Sequence, residues 1–168
     1  MSDVEYIIET TDLSKSYGPH LALENLNLKI RKGATGLLGP NGAGKSTFLK
    51  TILGLIQATS GHGTVLGHDI RTEGAAIRSR IGYMPEYDAL NPDMEAIHQV
   101  KYSGELLGMN PIVAMSRAHE VLQYVGLGEQ RYRNIGSFST GMKQATKLAC
   151  SIIHDPAVSY THLTLPTT

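Results

Sequence analysis

Residues Gly39 to Ser46 have the composition of a loop that holds phosphate groups. Their sequence, G-P-N-G-A-G-K-S, fits the pattern G-x-x-x-x-G-K-[ST]. Glycines let the backbone curl so that successive N–H groups point inward, and the following helix directs its N-terminal N–H groups at the same anion. Lys45 can reach the β- and γ-phosphates, the Ser46 hydroxyl can ligate Mg²⁺, and Thr47 can add a phosphate contact. The predicted polyphosphate-binding residues are Gly39, Pro40, Asn41, Gly42, Ala43, Gly44, Lys45, Ser46 and Thr47.

The residues around this loop supply the context that phosphate binding requires. A chance glycine loop before a helix is the alternative interpretation, because the pattern is short. However, Gly36–Leu38 is apolar on both sides, as a buried parallel strand is. From Lys45 the pattern is helical, with one apolar face formed by Phe48, Leu49, Ile52 and Ile56. A strand, a loop and a helix in this order favour phosphate binding.

Alternating residues predict an antiparallel sheet near the N-terminus. Val4, Tyr6 and Ile8 alternate with polar residues, and so do Leu26, Leu28 and Ile30. The turn signal Gly18-Pro19 lies between the two segments.

Short strands and three helices are predicted in the rest of the chain. Strands are expected at Thr64–Leu66 and Ile81–Met84, and helices begin at Asn91-Pro92, at Pro111 and after a cap at Ser139. The last helix has an apolar face of Ala145, Leu148, Ala149, Ile152 and Ile153. Lys143 and Lys147, four residues apart on that helix, predict a solvated face.

The composition limits the classes of protein that are compatible with this chain. It has 168 residues, of which 41% are hydrophobic and 18% charged, as in globular proteins. Fifteen basic and 15 acidic residues give no net charge, so we expect no nucleic-acid partner. One cysteine excludes an internal disulfide. The N-terminus lacks the basic and apolar regions of a signal peptide, which predicts a cytoplasmic protein.

Several motifs, in order, resemble those of the ATP-binding subunits of ABC transporters, from about Ile7 to Pro156. The segment Leu13–Gly18 resembles the one that carries the family's adenine-stacking aromatic residue, and Ile81–Glu86 resembles one that usually ends in glutamine. Phe138-Ser139-Thr140-Gly141-Met142 resembles the ABC signature, more often Leu-Ser-Gly-Gly-Gln. Its serine lies 93 residues after Ser46, beyond two predicted helices.

The resemblance implies roles for residues outside the phosphate loop. Tyr17 would stack on adenine, with an ordinary sheet aromatic as the alternative. Glu86 replaces the glutamine that contacts Mg²⁺ and the attacking water; a carboxylate can ligate Mg²⁺, and a solvated loop charge is the alternative. Residues Ser139, Thr140, Gly141 and Met142 would contact ATP bound to a second subunit, with Ser139 and the N–H of Gly141 holding its γ-phosphate. The alternative for Ser139 is a simple helix cap.

The resemblance also implies a fold and its limits. We expect an α/β P-loop NTPase core with an N-terminal antiparallel β subdomain and a helical subdomain at about 88–138. Residues 1–157 would form a partial nucleotide-binding domain. The family continues into a strand ending in Asp-Glu-Pro and a later histidine, and these catalytic groups of the C-terminal core have no counterpart here. Residues 159–168, rich in threonine, match no part of the pattern, and residues 158–168 are interpreted as a non-native tail.

The implied function is an ATP-binding subunit of an exporter with a separate membrane permease. Two such subunits, identical or different, would enclose Mg²⁺ and ATP at the inner face of the cell membrane. Without its catalytic carboxylates the chain would bind ATP and hydrolyse it poorly or not at all, or act only as a binding module. Alternatives are a non-transport ABC ATPase acting on ribosomes or DNA, which the neutral charge disfavours, and a P-loop kinase, which would not explain Phe138–Met142.

Overall fold

The computed structural model describes residues 6–85, 87 and 89–161, which form two compact units. The first unit ends at Arg78 and the second begins at Ser79. Both units combine strands with helices, so the predicted α/β class is confirmed. None of the helices in the described part of the chain has the length and apolar character needed to cross a bilayer.

The first unit contains a four-stranded antiparallel sheet. Its strands are β1 (Ile8–Tyr17), β2 (His20–Ile30), β3 (Ser60–Val65) and β4 (His68–Asp69), in the order β2-β1-β3-β4. β1 and β2 meet at the two-residue turn Gly18-Pro19, so the predicted antiparallel pair is present. Its first strand begins at Ile8, however, where the predicted strand ends, and Val4 lies outside the described residues. Ile8 and Leu13 of β1 and Val65 of β3 have fully buried side chains.

Two helices complete the first unit, α1 (Lys45–Ile52) and the short α2 (Gly74–Ser79). Phe48 and Ile52 of α1 are buried, as the helical pattern predicts. The helix ends before Ile56, however, because Leu53 caps it and Gly54 follows with φ of 63°. A residue in this left-handed conformation ends a helix, and glycine adopts it without strain.

The predicted buried strand at Gly36–Leu38 is wrong. These residues are in irregular backbone, and Leu38 is 88% exposed. A parallel strand is stabilised by ladder hydrogen bonds to neighbouring strands, and no described strand pairs with this segment. Its apolar composition alone therefore does not make it a strand.

The second unit packs three helices around an apolar core. These helices are α3 (Ala96–Leu106), α4 (Pro111–Tyr124) and α5 (Thr140–Ile152), with 3-10 turns at Glu129–Tyr132 and Ile135–Ser137. The core is formed by buried residues of the three helices, of the second 3-10 turn and of the connecting segments: Ala96, Ile97, Val100, Ala118, Val121, Leu122, Leu127, Ile135, Phe138, Ala149 and Ile153. Residues 88–138, expected to form a helical subdomain, are helical over much of their described part.

The starts of the helices agree with the sequence in two of three cases. α4 begins at Pro111 with the Asn110 side chain accepting from the Ile112 amide at 3.0 Å, and Ser139 caps α5. α3 begins at Ala96 and not at Pro92. The Asn91 side chain instead closes a local turn by accepting from the Asp93 amide at 3.0 Å, so the predicted helix start is a turn that precedes the helix.

The second unit contains a small parallel sheet, of which the sequence predicts only one strand. β5 (Ile81–Met84) confirms the expected strand, and β6 (Val158–Thr161) pairs with it in parallel, with Ile81 opposite Val158. The strand β6 lies within residues 158–168, whose interpretation as a non-native tail stays a prediction. Residues 162–168 lie outside the described part.

Candidate nucleotide-binding site

The phosphate loop is an exposed turn that leads directly into α1. Gly39–Ala43 are exposed, and Gly44 precedes the helix with φ of 82°. A Cβ atom at Gly44 would lie 2.4 Å from the backbone oxygen of Ala22 in β2. Glycine is therefore required at position 44 both by the left-handed backbone and by the close approach of β2.

The first turn of α1 presents amides to the loop. Gly44 provides no side-chain cap, and in the described part of the chain no backbone acceptor pairs with the amides of Lys45, Ser46 and Thr47. The first amide of α1 with a helical partner is that of Phe48, which donates to the Gly44 oxygen at 2.8 Å. Such N-terminal amides bind anions, helped by the positive end of the helix dipole.

The side chain of Lys45 lies against the start of the loop. Its Nζ donates to the backbone oxygens of Gly39 at 2.6 Å and Pro40 at 2.7 Å. An ammonium has three N–H donors, so one remains for an anionic oxygen. The structure thus holds a cation at the loop that the amides of α1 also face.

Ser46 lies in the same first turn and is exposed. Its hydroxyl is a hard oxygen ligand of the kind that Mg²⁺ accepts, usually together with water and phosphate oxygens. The predicted second ligand, Glu86, lies outside the described residues. The Mg²⁺ roles of both residues stay predictions.

Tyr17, predicted to stack on adenine, ends strand β1. Its side chain is 47% exposed, and the Lys15 ammonium lies 5.1 Å from the ring centroid. A cation at this distance interacts with the face of the ring. The exposed ring is compatible with base stacking and with an ordinary sheet aromatic, so its role stays a prediction.

The signature-like segment is the N-terminus of α5. Phe138 is buried in the core, and the Ser139 Oγ accepts a hydrogen bond from the Met142 amide at 3.3 Å. Ser139 is therefore a helix cap, whereas Thr140 and Gly141 are exposed. The proposed contact of Ser139–Met142 with ATP on another subunit stays a prediction.

Lys147 corrects another expectation. It is 4% exposed, and its Nζ donates to the backbone oxygen of Pro85 at 3.1 Å. The prediction of a solvated face is therefore wrong for Lys147. The spacing of residues along a helix does not reveal carbonyl acceptors that lie about 60 positions earlier in the chain. Lys143, one turn earlier, is half-buried.

Comparison with known proteins settles the family. The sequence profile described as "ABC transporter" matches residues 23–160. The chain belongs to the ABC transporter family. This match includes the phosphate loop and the signature-like segment.

Curated relatives from this family are named as ATP-binding proteins. The linearmycin resistance ATP-binding protein LnrL of Bacillus subtilis (strain 168) is 37% identical over 151 residues, or 89% of this chain and 49% of the relative. The bacitracin transport ATP-binding protein BcrA of Bacillus licheniformis is 35% identical over 89% of this chain and 48% of its own length. The chain thus spans about half the length of these ABC transporter relatives.

Solved structures confirm the fold. An ATP-binding subunit of an ABC transporter matches with a TM-score of 0.77 and 26% identity, covering 91% of this chain and 64% of that one. A nucleotide-free ATP-binding cassette from an ABC transporter matches with a TM-score of 0.78 and 23% identity, covering 92% of this chain and 67% of the other. The expected P-loop NTPase fold of the ABC family is confirmed over the matched part.

Proposed function

We propose that this chain is the ATP-binding part of an ABC transporter subunit. The arrangement of Gly44, Lys45 and the amides at the start of α1 carries this proposal, because it offers a cation and backbone donors to one polyphosphate. ATP supplies the anion, and Ser46 and Glu86 would hold its Mg²⁺. Tyr17 would stack on the base.

The family and the names of the relatives support a transport role. The words "resistance" and "transport" in those names favour export through a separate membrane permease. The chain would lie at the cytoplasmic face of the membrane as a peripheral subunit. A second ATP-binding subunit, identical or different, would complete each site, with Ser139–Met142 reaching its ATP. Binding and hydrolysis of ATP in this dimer would drive the permease.

The first experiment measures ATP binding by calorimetry with and without Mg²⁺. In Lys45→Ala we expect affinity to fall roughly 10- to 100-fold, because a hydrogen bond to a charged group contributes about 1.5–3 kcal/mol. Lys50→Ala, in the last turn of the same helix, is the matched control and should bind as the unmodified chain does. Equal affinity for ATP in all three proteins would contradict the proposal.

A binding-only role is the second candidate for the 168-residue chain by itself. The observation that favours it is that the sequence contains no aspartate or glutamate after Asp155. A carboxylate that orients the attacking water supplies much of the rate of phosphoryl transfer. We therefore expect ATP binding without steady release of phosphate. Steady hydrolysis that Lys45→Ala abolishes would exclude this candidate.

A further inference from the structure

Lys147 joins helix α5 to the turn that follows β5, a name used for the segment whose described residues Pro85 and Tyr87 contact this side chain. Its ammonium lies 3.1 Å from the backbone oxygen of Pro85 and 3.5 Å from that of Tyr87. The residue is 4% exposed. One buried cation therefore contacts two residues that precede it in the sequence by 62 and 60 positions.

The hydrogen-bonding requirement of a buried ammonium constrains the turn. Burying a charge is costly unless hydrogen bonds replace its lost water, and the carbonyl oxygens of Pro85 and Tyr87 do so here. A lysine ammonium is compact and has three donors, so it can bind several carbonyls at once. Displacing the turn would take these two carbonyl acceptors away from the charge. We propose that Lys147 is a positioning residue that fixes the turn after β5 to helix α5.

The consequence for the transport cycle rests on the proposed function. α5 begins at Ser139, which is proposed to contact ATP on the second subunit. The turn after β5 belongs to the segment that, by resemblance, carries a Mg²⁺ and water contact. Because α5 is one continuous helix from Thr140 to Ile152, a shift at its N-terminus moves Lys147 as well. The turn would then follow α5 when the two subunits engage.

The surroundings of Lys147 allow its ammonium to be removed without unfolding. A cavity of about 190 Å³ lies beside it, lined also by Ser103 and Cys150. This volume is large enough for water molecules, which could hydrate the carbonyls that lose the ammonium. Methionine at position 147 keeps the length of the unbranched stem, so Lys147→Met should fold with a loosened turn.

The test measures ¹⁵N order parameters of the 168-residue chain in Lys147→Met, Lys147→Arg and Lys143→Met. In the unmodified chain the amides of Tyr87, Ala89 and Leu90 should have order parameters of about 0.85, and in Lys147→Met these should fall below about 0.6. Lys147→Arg, which keeps charged donors, should retain most of the order. Lys143→Met, one turn earlier on α5, should change nothing. Should Lys147→Met fail to fold, Lys147→Gln, which keeps neutral donors only, takes its place with an intermediate loss expected.

Two results would overturn the proposal. One is a turn that is equally ordered with and without the ammonium, or mobile in the unmodified chain. The other is a loss of order spread evenly over α3, α4 and α5, which indicates general destabilisation. ATP titration of the same samples without Mg²⁺ separates this proposal from the function, because Lys147 is not in the phosphate loop and its variants should then bind ATP as the unmodified chain does. If the unmodified chain does not bind ATP, that result would count against the proposed function alone.

Discussion

The N-termini of α1 and α5 are built differently, although both are proposed to face ATP phosphates. α1 follows Gly44, which has no side chain to cap the helix, whereas the Ser139 hydroxyl accepts from the Met142 amide of α5 at 3.3 Å. α5 thus satisfies one of its terminal amides by itself, and the first turn of α1 has no such cap. The difference suggests that α1 holds the nucleotide, while α5 is stable alone and adds contacts to a nucleotide held by another subunit.

The residues that precede the two helices differ in how deeply they are buried. Leu38, before the phosphate loop, is 88% exposed, whereas Phe138, before α5, is 6% exposed within the core of the second unit. Packing therefore fixes the start of α5. The phosphate loop is instead held by the close approach of Gly44 to β2 and by the bonds of Lys45.

The largest expected effect is that of Gly44→Ala. The added Cβ would meet the Ala22 oxygen at 2.4 Å, and φ of 82° is strained for alanine. We expect a stability loss of about 2 kcal/mol or more and ATP binding too weak to measure by calorimetry. Gly42→Ala is the matched control, since φ is 86° there but no atom lies within 4 Å, and it should cost about 1 kcal/mol. Equal effects of the two substitutions would show that β2 does not constrain the loop.

The second effect concerns the thiol of Cys150 on α5. Burial raises its pKa from the ordinary 9.0 to about 11. The unfolded chain therefore ionises this thiol first, so its contribution to stability is complete below pH 9 and is lost as the pH rises to about 11. Urea unfolding between pH 8 and 11 should show a steeper decline for the unmodified chain than for Cys150→Ala. Parallel declines would indicate that this side of α5 is open to water.

A smaller effect is expected for the cap of α5. Ser139→Ala removes the acceptor of the Met142 amide and should lower the free energy of unfolding by about 1 kcal/mol. Asn110→Ala, which removes the equivalent cap of α4, should cost a similar amount. Neither variant should change ATP affinity of the single chain. A weaker ATP affinity in Ser139→Ala alone would mean that α5 contacts the nucleotide of its own chain.

The smallest effect is expected at Leu38. Because it is 88% exposed, Leu38→Ser should alter the free energy of unfolding of the 168-residue chain by no more than about 0.5 kcal/mol. A buried leucine would cost about 2–5 kcal/mol on truncation to alanine. A loss in that range, measured by urea unfolding, would place Gly36–Leu38 in a core and remove the contrast with Phe138.

The glycine loop before α1 and the starts of α4 and α5 could be predicted because their physical causes are local. Gly44 and Lys45 are recognised from a spacing of a few residues, and Pro111 and Ser139 mark the starts of α4 and α5. Such features depend on backbone conformation and on nearby hydrogen bonds.

The features that sequence reasoning missed depend on partners far along the chain. Gly36–Leu38 has the composition of a strand, but a strand forms only where a neighbour pairs with it. Val158–Thr161 has no strong pattern and yet pairs with β5, 77 positions earlier at Ile81 and Val158. Lys147 is buried because carbonyls of another segment meet its ammonium.

The most direct test of the account is an ATP titration followed by ¹H–¹⁵N NMR on the 168-residue chain with Mg²⁺ present. We expect the amides of residues 42–47 to shift on ATP binding and those of residues 139–142 to stay unchanged, as long as the chain is a monomer. Shifts confined to residues 139–142, or no shift at saturating ATP, would contradict the claim that the start of α1 holds the nucleotide.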